Sequence, residues 1–128
     1  MSTALEWYED KKVLITGASG YIASSLCEIL HLKSKLITRV SRKKLKTKRN
    51  CKDVNLDICS RETWKELIPN VDIIFHLASQ TSIYYAAQNT QEDFNVNFKP
   101  MQSILEVCKE YNYNPLIVFS GSATQSGI

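Results

Sequence analysis

The segment Thr16-Gly-Ala-Ser-Gly-Tyr-Ile-Ala23 sets two glycines on a turn between an apolar run and an amphipathic one. Glycines there let the backbone come close to an anion, and a helix start offers free N–H groups and a positive dipole end. The chemistry would be phosphate or pyrophosphate binding. Ala23, where a third glycine is expected, need only be small enough for helix and strand to pack closely. Two glycines also fit a plain tight connection, so their context must decide. Ser120, Ser122 and Thr124 carry three hydroxyls near the end of the sequence, able to hold a substrate oxygen or to cap a turn. Ten of the sixteen Lys and Arg residues lie between Lys33 and Lys52, with no Asp or Glu among them. A run of this kind is either solvated or holds an anionic ligand group. Without interleaved aromatics it does not read as a nucleic-acid surface. His76 falls inside an apolar run and reads as a satisfied core histidine. Tyr8 and Lys12 have a Tyr-x-x-x-Lys spacing, but ahead of the first strand, where it is a chance match.

The elements that must position these residues alternate in type. Residues 12–16 read as a strand, and 21–32 as a helix with Ile22, Leu26, Ile29 and Leu30 on one face. Strands are expected at 36–40 and 54–58, and a helix over 61–68, closed by Pro69. Residues 71–78 read as a buried strand rich in β-branched residues. Met101, Ile104, Leu105, Cys108 and Tyr111 mark a long helix, and 115–119 the last strand. Strands joined by helical crossovers imply a parallel sheet covered on both faces, an α/β fold. The 128 residues hold one such domain. No apolar run approaches a membrane span, and the N-terminus lacks the apolar core of an export signal. Four scattered cysteines (Cys27, Cys51, Cys59, Cys108) point to reduced thiols in a cytoplasmic protein, with neither a disulfide framework nor a metal site.

Several segments resemble, in order, the extended short-chain dehydrogenase/reductases, the group of NAD(P)-dependent nucleotide-sugar epimerases and dehydratases. Thr16–Ala23 resembles their T-G-x-x-G-x-x-G turn, and Asn55-Leu-Asp57-Ile58 the Asp-hydrophobic pair beside the adenine. Phe75-His-Leu-Ala78-Ser79 resembles H-x-A-[AG], Asn95-Val-Asn97 the N-x-N segment, and residues 119–127 the S-S-S-A-T-x-Y-G segment. Phe98-Lys-Pro100 departs from the family's Gly-Thr after N-x-N. Proline is tolerated only in a helix's first turn, so the next helix should start near Lys99 or kink there.

The resemblance implies a Rossmann-type doubly wound sheet over residues 12–128, after an N-terminal extension of residues 1–11. It implies an N-terminal, cofactor-binding part that breaks off after the fifth strand, inactive alone, with the family's Tyr-x-x-x-Lys beyond it. The whole enzyme would transfer hydride at a sugar carbon of a nucleotide sugar, with no nucleic-acid or membrane partner, and a homodimer is compatible. A non-catalytic NADP(H)-binding sensor or scaffold of the same fold is the alternative. The implied cofactor contacts are Gly17, Ser19, Gly20, Tyr21, Ile22, Ser41, Arg42, Asp57, Ile58, Leu77, Ala78, Ser79, Thr81, Asn97 and Ser120. Tyr21 would lie beside the pyrophosphate and Ile22 in the core. Ser122 would orient the substrate oxygen as the catalytic serine, with Thr124 a second substrate contact. Asp57 would either meet the adenine amino group or cap its own turn. NAD-specific relatives carry an acid at the end of strand two. Ser41 stands there, followed by Arg42 and Lys43, so NADP is expected over NAD. Gly17→Val would on this view abolish dinucleotide binding and leave the helices intact.

Overall fold

A computed structural model describes residues 3–122 and 127. A single-turn helix α1 (Thr3–Glu6) precedes β1 (Lys12–Thr16), α2 (Tyr21–Leu30), β2 (Leu36–Val40) and β3 (Cys51–Val54). Then come α3 (Arg61–Leu67), β4 (Ile73–His76), α4 (Ile83–Gln88), α5 (Thr90–Asn97), α6 (Lys99–Tyr111) and β5 (Leu116–Phe119). The five strands are all parallel, in the order β3-β2-β1-β4-β5. The chain therefore winds outward from β1 to β3, then crosses back to place β4 on the other side of β1. This is the doubly wound Rossmann arrangement, and its strand order reverses between β1 and β4.

Alternation along β1 explains the two covered faces. Val13 and Ile15 point to the layer where Ala23, Cys27 and Leu30 of α2 pack, joined by Ile37 and Ile73. Leu14 points the other way, with Val40 and Ile74, onto Trp64, Leu67 and Ile68 beside α3 and Ile104 and Val107 of α6. Trp64 is fully buried, and its indole N–H donates to the Ile58 carbonyl at 2.9 Å, which satisfies the polar end of a large core side chain. The four cysteines are free thiols, and burial pushes that of Cys27 up to about 11.

Several expected boundaries move. The third strand is Cys51–Val54, not 54–58. The β2–β3 register runs from Ile37↔Cys51 to Val40↔Val54, and the ladder closes with Ser41 N–H on the Val54 carbonyl. Helix α2 ends at Leu30, where Lys33 and Ser34 N–H both fold back on the Leu30 carbonyl. Its buried face uses Ala23 and Cys27, while Ile22 and Ile29 are exposed, so Ile22 is not a core residue. Small side chains at the contact let the helix lie close to the sheet. On α6 the buried positions are Pro100, Ile104 and Val107, with Leu105 and Tyr111 exposed. The proline expectation holds: α5 ends at Asn97 and α6 begins at Lys99 with Pro100 in its first turn. Helix α4 has no counterpart in the sequence reading.

Candidate functional site

The carboxyl ends of β1, β2 and β4, with the segment after β3, enclose a cleft of about 690 Å³ at the point where the strand order reverses. Its floor is the glycine turn. Gly17 has φ of +64°, a left-handed conformation that a side chain disfavours. A Cβ built there would lie 2.8 Å from both the Cα and the N of Ala78, and 3.0 Å from the Leu77 carbonyl carbon. Gly17 is therefore needed first for the fold, because the turns after β1 and β4 touch backbone to backbone. This corrects the expectation that Gly17→Val would leave the helices intact. Gly20 is tight for a different reason: its Cβ would meet the Gly17 carbonyl oxygen at 3.1 Å.

Gly20 is also the N-cap of α2, with no side chain bonded to the helix's first amides and no acid in its first turn. Those N–H groups and the positive end of the helix dipole suit an anion. The Ala18 N–H donates to the Val40 carbonyl at 3.1 Å, fastening the glycine turn to the end of β2.

Thr16 joins the cleft's two halves. Its buried Oγ1 accepts from Leu77 N and Ala78 N, each at 3.1 Å, and lies 2.9 Å from His76 Nδ1. A hydroxyl has one proton and two lone pairs. With both lone pairs engaged by amides, Thr16 must donate to Nδ1, so neutral His76 carries its proton on Nε2. Burial holds the imidazole far below its ordinary value, at about 4. Trp64 meets the ring edge-on, centroids 5.8 Å apart. His76 is the satisfied core histidine expected.

The far wall is mainly basic. Ser41, Arg42 and Lys43 line the cleft after β2, and Asp57 is its single acid among the described residues. Ser41 Oγ accepts from the Lys43 N–H at 3.0 Å, so its own proton remains to donate. Asp57 Oδ1 accepts from the Cys59 N–H at 2.9 Å, the turn-capping role.

Of the expected cofactor contacts, Gly17, Ser19, Gly20, Ser41, Arg42, Asp57, Ile58, Leu77, Ala78 and Ser79 do line the cleft. Tyr21, Ile22, Thr81, Asn97, Ser120 and Ser122 do not, and Thr124 lies outside the described residues. Asn97 instead braces the loop after β4: its Oδ1 accepts from Gln80 N at 2.8 Å and its Nδ2 donates to the Gln80 carbonyl at 3.0 Å. Tyr8 and Lys12 sit at the opposite end of β1 from the cleft. Val40, Lys43, Asn55, Leu56, Cys59 and Val96 also line the cleft, though none was assigned a cofactor contact from sequence. Lys43 and Asn55 adjoin motif residues and were within reach. Cys59 and Val96 arrive only through the packing of α5 on the segment after β3, where the Cys59 thiol donates to the Asn95 carbonyl at 3.2 Å.

The family model described as NAD dependent epimerase/dehydratase family matches residues 13–127. UDP-glucuronate 4-epimerase 1 of Arabidopsis thaliana is 26% identical over 131 residues, covering 91% of this chain and 30% of that protein. The bifunctional protein GAL10 of Kluyveromyces lactis is 30% identical over 132 residues, 93% of this chain and 19% of its own length. The chain thus spans under a third of these relatives. Among solved structures, epimerase Mth375 of Methanothermobacter thermautotrophicus superposes with a TM-score of 0.80 at 24% identity, over 93% of this chain and 37% of that one. The Bordetella bronchiseptica enzyme WbmF, solved with NAD+, gives 0.80 at 18% identity over 92% and 38%. These likenesses bear out the fold. No described helix is long and apolar enough to cross a membrane.

Proposed function

The chain belongs to the NAD dependent epimerase/dehydratase family, and from that premise we propose that it is the cofactor-binding part of a nucleotide-sugar epimerase, dehydratase or reductase that prefers NADP(H). The observation that carries this is the cleft itself: a glycine cradle and an uncapped helix start at one end, an Arg-Lys pair against a single acid, Asp57, at the other. Gly17 and Gly20 fit a pyrophosphate because side-chain-free backbone lets it reach the α2 amides. Asp57 and Ile58 border the adenine side. Arg42, with no ion pair among the described residues, meets a 2′-phosphate with a charge-assisted hydrogen bond, and the Ser41 hydroxyl adds a second donor. When bound, the nicotinamide supplies the hydride chemistry. Ser122, in the exposed segment after β5, holds the substrate oxygen near the reacting carbon in the longer enzyme.

Arg42→Ala is expected to weaken NADP+ binding by about 1.5–3 kcal/mol, the size of a hydrogen bond to a charged group, with NAD+ binding nearly unchanged. Calorimetry on the full-length protein decides it, and equal losses for both cofactors, or a wild type that prefers NAD+, would sink the 2′-phosphate assignment. Ser122→Ala should lower turnover about tenfold or more, as for a lost transition-state hydrogen bond, at constant cofactor affinity. Unchanged turnover with lowered stability would return Ser122 to a turn-capping role.

A further inference from the structure

The β2–β3 connection lacks the helix that parallel neighbours ordinarily require. Such pairs are joined by crossovers of about a dozen residues or more, usually helical, yet residues 41–50 run back along the sheet without regular structure. This loop carries Arg42 and Lys43 into the cleft wall. Something other than helix geometry must set where they stand.

Its near end is held by the Ser41 N–H on the Val54 carbonyl at 3.1 Å and by the Lys43–Ser41 bond. Its far end is tied to the end of α2, through the Lys48–Glu28 ion pair and Asn50 Nδ2 on the His31 carbonyl at 3.0 Å. The middle is held from inside the sheet. Arg39 lies on β2, 5% exposed, opposite Asp53 in the β2–β3 register. Its Nε donates to Asp53 Oδ1 at 2.6 Å and its Nη2 to Oδ2 at 2.8 Å, while Nη2 also donates to the Lys46 carbonyl at 2.9 Å. A buried guanidinium is costly unless its partners are complete. The two-point grip of Asp53 fixes the plane of the fork, and that plane aims Nη2 at the loop.

We propose that Arg39 is a positioning residue for cofactor selection: gripped by Asp53, it holds the Lys46 carbonyl and so fixes the course of the loop that presents Arg42 and Lys43 to the 2′-phosphate. This rests on the NADP(H) assignment above. Arg39 touches no cofactor itself. The adenosine and pyrophosphate contacts come from other segments, so losing the brace should erode selectivity and spare basal nucleotide affinity.

The test is calorimetric titration of the full-length protein with adenosine 2′,5′-bisphosphate and with 5′-AMP, probes that differ only in the 2′-phosphate. Arg39→Met should lower the preference for the bisphosphate about tenfold, the scale of a misplaced binding group, with 5′-AMP affinity within about twofold of wild type. Arg39→Lys keeps a charge for Asp53 but cannot fork to Lys46, so it should stay folded and lose part of the preference. It decides the matter should Arg39→Met fail to fold. Folded variants that retain the wild-type preference while Arg42→Ala loses it would overturn the role of Arg39 alone. Equal loss toward both probes would reduce Arg39 to a general structural residue. A wild type without any preference would overturn the 2′-phosphate assignment and this proposal together.

Discussion

Gly17→Val is expected to destabilise the fold by about 2–6 kcal/mol, the sum of a side chain forced into left-handed backbone and a collision within a packed turn. The backbone of Ala78 stands 2.8 Å from the new Cβ, and neither turn can yield alone. Ala78 N is bound to the Thr16 hydroxyl, and Ala18 N to the Val40 carbonyl. A domain of ordinary stability has about 5–15 kcal/mol in all, so the variant should melt far below the wild type or not fold. Thermal denaturation followed by circular dichroism measures it. A Gly17→Val protein melting within a few degrees of wild type would show that the two turns are not in the contact described. Loss of dinucleotide binding in this variant would then no longer be explained by loss of structure.

The glycine turn shows why some features could be read from the sequence and others not. β1 and β2 were legible to the residue because their apolar runs end in obvious punctuation, Gly17 on one side and the basic run on the other. The break between α5 and α6 was legible because proline removes an N–H donor wherever it stands. β3 was not. Its residues Lys52 and Asp53 are polar because this is an edge strand, and Asp53 has its partner on Arg39, a relation between strands that no local pattern contains. The inner face of α2 misled in the opposite sense. Bulky Ile22 and Ile29 look like core residues, yet the close contact with the sheet selects Ala23 and Cys27. In the cleft, residues on the turns directly after β1, β2 and β4 were legible. The motif residues Thr81, Asn97 and Ser120 stand outside its lining, and Cys59 and Val96 enter by tertiary packing alone.

The pH dependence of stability should carry the signature of His76. Burial lowers its value from 6.5 to about 4, so between those limits the unfolded chain binds a proton that the folded chain refuses. Stability therefore rises with pH across this window. The contribution, about 3 kcal/mol, is complete above about 6.5 and is lost progressively as the pH falls toward about 4. The structural reason lies in the tautomer. Protonated His76 would present an N–H at Nδ1 to a Thr16 hydroxyl that already gives its proton there and has both lone pairs engaged by Leu77 and Ala78 amides. Acid thus pries at the junction between the turns after β1 and β4, the floor of the cleft. Urea unfolding at steps from pH 7.5 to 4, for wild type and His76→Gln, isolates the group, since carboxylate titration is common to both. The glutamine variant, which keeps a side-chain acceptor for Thr16, should show the shallower slope between pH 6.5 and 4. Parallel slopes would mean that His76 titrates alike in the folded and unfolded chains, and that the Thr16 hydroxyl does not depend on a neutral imidazole.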